Sequence, residues 1–361
     1  MVRRRSSRKR KKSSAAFGVF VFLLVVLMAC AAAAAWFVFL PAGPQSETFV
    51  EIAPGSTTTQ IAAQLEHAGV LRSRYGFDMV RIARLWKRGT LKAGEYRFDH
   101  PAPVPEIYAR IARGDVYTLP VTIPEGATRF DIAARIVQAG FLNITKESFL
   151  AATVSATPLI ADLDPQARSL EGYLFPDTYR FQRRVTAAQV ITAMVRRFRA
   201  VATEAGLEKS PADSPRSVHD TVTLASLVER ETAVNSERPL VSSVLLNRLA
   251  QKMPLMTDPA VIYGLQVEGQ WRGSIYQSDL SDPKRDTPYN TYRHTGLPPG
   301  PIANPGLPSL RAALDPAASS YLYFVAAGAD PQGKSRFAST LDEHNKNVAS
   351  YRKAVKQAGG H

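Results

Sequence analysis

The hydrophobic pattern of the chain begins with one long apolar run near the N-terminus. Residues Ala15 to Leu40 form a stretch of 26 positions without a charged side chain. As an α-helix with a rise of about 1.5 Å per residue, this stretch spans roughly 39 Å, which exceeds the ~30 Å hydrocarbon core of a bilayer. A cleaved signal peptide is the alternative, because the small residues from Ala29 to Ala35 are typical of cleavage sites. The run continues to Leu40, beyond the usual length of such a peptide, and therefore predicts a retained transmembrane helix over residues 15–40.

A second pattern occurs twice, at residues 52–71 and again at residues 123–142. The two segments align without a gap and share nine of twenty residues. Each has a glycine suited to a turn, a threonine suited to capping a helix, an apolar face at helical spacing and an Ala-Gly pair that ends the helix. The pattern predicts a capped helix in each copy. After the first copy, the alternation from Lys92 to Phe98 predicts a strand.

The spacing Gly-x-Thr-x-x-x-Ile-Ala at the start of each copy resembles the first turn and helix of the LysM module. In its own family, that module is a small βααβ fold that binds N-acetylglucosamine-rich cell-wall glycan. A generic capped helix packed on a sheet has the same local pattern and stays open as the alternative. We expect an α+β chain, with a LysM-like domain over residues 47–117 and a larger mixed α/β domain over residues 118–361, where the second copy forms the entrance.

A periodic segment from Thr221 to Thr232 predicts a helix in the larger domain. Its apolar stripe consists of Leu224, Leu227 and Val228. On a helical wheel, Glu231 points with this stripe and Glu229 points away from it. We therefore expect Glu229 to be a solvated partner of nearby basic groups.

Glu231 has two interpretations at this point. A carboxylate in apolar surroundings resists ionisation, so its pKa rises and it can hold a proton near neutral pH, as a general acid must. Alternatively, Glu231 is a buried glutamate bound to an arginine such as Arg238 or Arg248. The helical pattern alone does not choose between them.

The pattern changes after a second predicted helix over residues 240–249. Ten prolines lie between Pro254 and Pro316, so long helices are excluded there, and tyrosines are interleaved with asparagine and threonine. Fixed loops of this composition suit a sugar chain, because sugar rings stack on aromatic faces and hydroxyls need directed hydrogen bonds. A rigid surface loop whose tyrosines only cover the core is an equal alternative. Asp258, which precedes a proline, is expected to form a turn rather than to act as an acid.

Charge and its distribution narrow the class of protein. The chain has 45 Lys and Arg residues against 31 Asp and Glu, a net charge of +14. Eight basic residues lie within the first twelve positions and no acidic residue precedes Glu47, so the rest of the chain carries only +6. That small excess gives no reason to expect a nucleic-acid partner. By the positive-inside rule, residues 1–14 stay in the cytoplasm and the chain beyond a linker at 41–46 lies outside the membrane.

Several short motifs follow one another in order through the chain. They are Glu229-Arg230-Glu231, Asn247-Arg248, Thr257-Asp258-Pro259, Tyr263-Gly264, Tyr289-Asn290-Thr291-Tyr292, Gly296-Leu297-Pro298-Pro299-Gly300, Asn304-Pro305-Gly306, Tyr321-Leu322-Tyr323-Phe324-Val325 and His344-Asn345. Together they closely resemble the endolytic murein transglycosylases of the YceG-like family, and the resemblance extends over essentially the whole chain. In that family the second glutamate of the Glu-Lys/Arg-Glu segment is catalytic, which implies Glu231.

The resemblance implies cleavage of the β-1,4 bond between N-acetylmuramic acid and N-acetylglucosamine inside a peptidoglycan strand, with a 1,6-anhydro ring as product. Glu231 would donate a proton to the glycosidic oxygen and then accept one from the muramyl C6 hydroxyl. It also implies a single-pass inner-membrane protein with a periplasmic catalytic domain, association with penicillin-binding peptidoglycan synthases, and a role in ending strand growth. The candidate substrate-binding residues are Tyr263, Tyr289, Asn290, Tyr292 and Asn304.

Other functions have weaker support in the sequence. Ser281-Asp282-Pro283-Lys284 matches the S-x-x-K motif of serine acyl-transferases, but its proline disfavours the helix and neither S-D-N nor K-T-G follows. There is no His-Glu-x-x-His motif and the single Cys30 cannot form a thiolate cluster, so we expect no metal and no cofactor. The remaining alternative is a non-catalytic, membrane-tethered scaffold that binds peptidoglycan for cell-wall synthases.

Overall fold

The computed structural model describes residues 10–83, 90–207, 216–330 and 333–358 of the chain. Within it the chain divides into two compact units, with the boundary between Thr118 and Leu119. Residues 1–9 of the predicted cytoplasmic tail lie outside the described residues. The mixed helix and strand content agrees with the predicted α+β class.

The first unit combines a long apolar helix with a small α/β layer. Its elements are α1 (Arg10–Phe39), β1 (Thr48–Ile52), α2 (Thr58–His67), α3 (Arg74–Ala83), β2 (Gly94–Phe98) and α4 (Val104–Arg113). Within the described ranges, α1 is the one helix that is long and apolar enough to cross a membrane, over Ala16–Phe39. The predicted strand is confirmed as β2, which pairs antiparallel with β1. Phe77, Tyr96 and Ile107 are buried in the core between these strands and the helices.

The second unit contains the remaining elements. They are β3 (Leu119–Thr122), α5 (Arg129–Gln138), α6 (Lys146–Ser155), β4 (Thr178–Phe181), α7 (Ala187–Ala205), α8 (Val218–Glu231), α9 (Arg238–Ala250), α10 (Asp258–Val267), α11 (Gln277–Ser281), α12 (Leu307–Leu314), β5 (Tyr323–Ala326), β6 (Ser335–Ala338) and α13 (Leu341–Ala358). The helices predicted over 221–232 and 240–249 are confirmed as α8 and α9.

The repeated sequence forms the same capped helix in both units, as predicted. In the first copy, the Thr57 hydroxyl accepts a hydrogen bond from the Gln60 amide, and the Gln60 side chain accepts one from the Thr57 amide. In the second copy, Thr128 and Asp131 form the same reciprocal pair. These bonds satisfy amides that the first turn of a helix leaves without partners.

The two copies also share a longer arrangement that the sequence did not predict for the second. In the first unit the order is β1, α2, α3, β2, with the strands paired antiparallel. In the second unit β3, α5, α6 and β4 follow in the same order, and β3 pairs antiparallel with β4 from Leu119↔Phe181 to Thr122↔Thr178. The second copy is therefore a whole βααβ arrangement and not only the entrance to a domain.

Helix α8 is the central helix of the second unit. It packs against α9, α10 and α12, and every residue from Val222 to Val228 is fully buried. The expectation of a single apolar stripe is therefore wrong, because neighbouring elements cover α8 on all sides.

Prolines begin helices in the segment for which we predicted fixed loops. Helix α10 starts at Asp258 with Pro259 in its first turn, where the missing amide hydrogen costs nothing. Helix α12 starts in the same way, with Pro308. Because both helices are short, the prediction that no long helix occupies this segment holds.

Candidate active site

Glu231 is the last residue of α8 and lies in the wall of a cleft of about 190 Å³. Five parts of the second unit meet there: the end of α8, helix α9, the loop before α10, strand β5 and helix α13. The lining residues are Glu231, Val244, Leu245, Arg248, Leu255, Met256, Thr257, Phe324 and His344. The floor is apolar, because Val244, Leu245 and Leu255 are buried core residues.

The surroundings of Glu231 favour its protonated form. Burial raises its pKa from 4.5 to about 7, and the negative charge of Asp258 adds to the rise, while Arg248 and Arg230 oppose it. In the described part of the chain, no group donates a hydrogen bond to this carboxylate and no cation lies within ion-pair distance of it. Near neutral pH, Glu231 is therefore a carboxyl group that exists in both forms and has no hydrogen-bond or ion-pair partner among the described residues.

Arg248 stands beside Glu231 but is held by other groups. Its Nε donates to the Leu322 carbonyl at 2.7 Å, and Nη1 donates to the Leu255 carbonyl at 2.9 Å. The guanidinium also lies 5.3 Å from the centroid of the Tyr323 ring. Arg248 thus contributes positive charge to the cleft without neutralising Glu231 in an ion pair.

Arg238, the other arginine considered as a partner of Glu231, binds Glu229 instead. Arg238 Nη1 and Glu229 Oε2 are 2.6 Å apart, and both side chains are only 5% exposed. The same carboxylate accepts a hydrogen bond from the Gly306 amide at 2.9 Å. The expectation of a solvated Glu229 is wrong, because α8 is covered on that side too, although a basic partner was correctly expected.

Among the predicted sugar-binding residues, Tyr292 is one that lies close enough to Glu231 for the charge of that carboxylate to affect its pKa. Its hydroxyl donates to Asp258 Oδ1 at 2.7 Å. Burial raises the pKa of the Tyr292 phenol, and the hydrogen bond to Asp258 raises it further, as do the charges of Asp258 and Glu231. Asp258 begins α10 and accepts this bond, so it belongs to the electrostatics of the site and does not only form a turn.

Tyr263 and Asn304 lie in the core around a second buried glutamate, Glu171. The Glu171 carboxylate accepts hydrogen bonds from the Arg129 amide at 2.9 Å and from Asn304 Nδ2 at 2.7 Å, and Tyr263 also bonds to it. Asn304 Oδ1 accepts from the Leu174 amide at 2.8 Å, and Nδ2 also donates to the Ala127 carbonyl at 2.9 Å. Burial raises the pKa of Glu171 to about 7, against the lowering effect of the Arg129 amide. Tyr263 and Asn304 are 3% and 0% exposed, and neither lines the Glu231 cleft.

Tyr289 and Asn290 lie in the loop that carries Tyr292. The Tyr289 ring packs edge-on against the Tyr263 ring at 5.0 Å. Asn290 is fully buried, donates to the Leu280 carbonyl at 3.2 Å and accepts from the Tyr292 amide at 3.1 Å. Of the five predicted substrate-binding residues, the structure therefore brings Tyr292 close to Glu231 and gives the others contacts within the fold.

Arg248, Phe324 and His344 line the cleft. From the sequence we considered Arg248 only as an ion-pair partner of Glu231, and we assigned Phe324 and His344 no role. The three residues come from three elements separated by up to about 100 positions, so no local spacing could group them. The signal that could have found them is their presence in the Asn247-Arg248, Tyr321–Val325 and His344-Asn345 motifs.

A family model described as the YceG-like family matches residues 50–350. The chain belongs to the YceG-like family. This YceG-like chain is 33% identical over 329 residues to a Bacillus subtilis protein named endolytic murein transglycosylase, with 86% of this chain and 87% of the relative covered. A Streptococcus pneumoniae protein of the same name is 30% identical over 338 residues, which span 60% of that longer relative. A crystal structure of a YceG-like protein from Listeria monocytogenes is 34% identical, with a TM-score of 0.53 and coverage of 84% and 99% of the two chains.

Proposed function

We propose that this chain is a membrane-anchored enzyme that cuts murein glycan strands internally, between N-acetylmuramic acid and N-acetylglucosamine, and leaves 1,6-anhydro ends. It is a lytic transglycosylase by its family membership and by its similarity to relatives of that name. One observation supports Glu231 as the catalytic group: its carboxyl has a pKa of about 7, lines a cleft and has no protein partner in the described residues.

The reaction needs one group that acts first as an acid and then as a base. Protonated Glu231 donates its proton to the glycosidic oxygen as the C1–O4 bond breaks, and positive charge develops at C1 of the muramyl residue. The C6 hydroxyl of that residue then attacks C1 and releases its proton to the Glu231 carboxylate, which restores the acid. Such a group works best when its pKa lies near the working pH, because both forms must be accessible.

Asp258 and Arg248 have opposite effects on the pKa of Glu231. The negative charge of Asp258 raises the pKa of Glu231 and favours the positive charge that develops on the sugar. The positive charge of Arg248 lowers the pKa and stabilises the carboxylate that remains after proton donation. We assign Tyr292, bound to Asp258, to sugar contact, and Tyr263, Tyr289, Asn290 and Asn304 to holding the loops in place.

The long apolar helix supports the anchoring part of the proposal. Helix α1 has the length and composition of a membrane span, and the basic residues before it favour a cytoplasmic N-terminus. On this proposal the chain from residue 41 onward acts outside the plasma membrane, where the enzyme ends growing strands beside penicillin-binding synthases. The first unit, with its LysM-like sequence pattern, would hold the glycan.

The test is a digestion of purified murein by the full chain, followed by mass spectrometry of the released fragments. We expect anhydro-muropeptides from the wild type and from Glu268→Gln, which changes an exposed glutamate, but none from Glu231→Gln. Wild-type product release by Glu231→Gln would refute its assignment. A chain that sediments with murein and releases no product would support the scaffold alternative. Glu229→Gln is an unsuitable control, because it breaks the buried pair with Arg238.

A further inference from the structure

His344 forms the wall of the cleft contributed by α13, the last helix of the described chain. Its ring stacks on Tyr323, with 5.1 Å between centroids and 23° between planes. Arg248 lies against the same Tyr323 ring. These contacts fix the plane and the position of the imidazole at the cleft that also contains Glu231.

The two ring nitrogens of His344 have different surroundings. Nδ1 is buried and has no hydrogen-bond partner in the described residues. Nε2 also has no protein partner there, but it is not among the buried atoms, and His344 lines the cleft. An imidazolium needs an acceptor for both N–H groups, and a buried N–H without one is costly. The ring is therefore held neutral, and its pKa is lowered by burial and by the charge of Arg248.

Nδ1 is the buried nitrogen without a partner, so a hydrogen on it would be an unsatisfied buried donor. The neutral ring therefore carries its hydrogen on Nε2, the nitrogen that is not among the buried atoms. A neutral N–H donor suits an oxygen-rich, uncharged ligand, because a sugar offers hydroxyl and acetamido oxygens as acceptors.

We propose that His344 is a substrate-binding residue, whose Nε2–H donates a hydrogen bond to an oxygen of the glycan held against Glu231. The proposal rests on the proposed function of that cleft. It makes the C-terminal helix part of the active site, since α13 contributes a side chain that touches substrate.

The test separates binding from catalysis by using the Glu231→Gln background, in which the glycan is not cut. The probe is a purified murein glycan oligosaccharide, and its dissociation constant is measured for the full chain with and without His344→Phe. Phenylalanine can keep the stack on Tyr323 but cannot donate a hydrogen bond. We expect about tenfold weaker binding, the upper range for one lost hydrogen bond.

Two control variants make the outcome decisive. Glu268→Gln changes an exposed residue of the second unit outside the cleft and should leave binding unchanged. His344→Gln, which retains an N–H donor, should recover part of the affinity lost in His344→Phe. If the phenylalanine variant folds poorly, the affinity of the glutamine variant is compared with that of the chain that keeps His344. Equal binding by His344→Phe and the wild-type residue, or equal losses in the phenylalanine and glutamine variants, would overturn the proposal. A Glu231→Gln chain that still cuts murein would instead refute the function of the cleft.

Discussion

Replacing Glu231 by glutamine is expected to stabilise the second unit at alkaline pH. Glutamine is nearly isosteric with glutamate but carries no charge, so it removes the cost of an ionised carboxylate in this cleft. The pKa of Glu231 is raised to about 7 from 4.5. At 1.36 kcal/mol for each pH unit, the ionised form costs about 3 kcal/mol of folding free energy.

The sign of this effect depends on pH. Below pH 4.5, Glu231 is protonated in both the folded and the unfolded state, and the substitution changes little. Between pH 4.5 and about 7 the unfolded state ionises first, so the wild type loses stability relative to the variant as pH rises. For a unit of this size, about 3 kcal/mol corresponds to a rise in melting temperature of about 6–12 °C.

The measurement is thermal unfolding of the wild-type full chain and of Glu231→Gln at several pH values between 4 and 8, with calorimetry as the method. The difference in melting temperature of the second unit should be near zero at pH 4 and reach its maximum above pH 7. Glu268→Gln, at an exposed position, should show no such trend. A Glu231→Gln chain that gains no stability between pH 4 and pH 8 would refute the reasoning that the cleft opposes ionisation.

Three further predictions concern buried groups outside the cleft. Glu229→Gln leaves the Arg238 charge buried without its carboxylate, so we expect a loss of about 3–5 kcal/mol in denaturant unfolding; an unchanged midpoint would contradict a buried ion pair. His219 Nδ1 lies 2.7 Å from Asp164, and this hydrogen bond raises the pKa of His219. Its contribution is complete below pH 6.5 and is lost as pH rises through the higher folded value, so His219→Gln should flatten stability against pH in that range. Asn304→Ala leaves the buried Leu174 amide without its acceptor and removes one of the donors to the Glu171 carboxylate, which keeps the Arg129 amide and Tyr263. It should lower the unfolding free energy by about 1–3 kcal/mol in urea titration, and an Ala variant as stable as the wild type would contradict those contacts.

The elements with strong local signals were predictable from the sequence. Capping threonines define where α2 and α5 begin, because the bonds that they make involve residues three positions away. The selection of Glu231 over Glu229 also came from a local pattern. Its role as the catalytic residue stays a prediction.

The failures have a common physical cause. The helical wheel assumes one buried face, and α8 is buried on all sides, so only long-range contacts decide what each side chain meets. Asparagine and tyrosine suit sugar contact and loop bracing equally well, because both roles need directed hydrogen bonds. The sequence could not show that Asn304 bonds to Glu171, 133 positions away.

The repeated βααβ arrangement indicates how the second unit arose. Nine identities in twenty positions and the same order of elements are the marks of an internal duplication. The turn glycine of the first copy, Gly55, has open space beside it, whereas its counterpart Gly126 packs near Glu229 and accepts a hydrogen bond from Arg230. The turn of the first copy is thus free of such contacts, while the turn of the second copy supports the end of α8. Mutations at corresponding positions should therefore be tolerated very differently, although the two turns have the same sequence pattern.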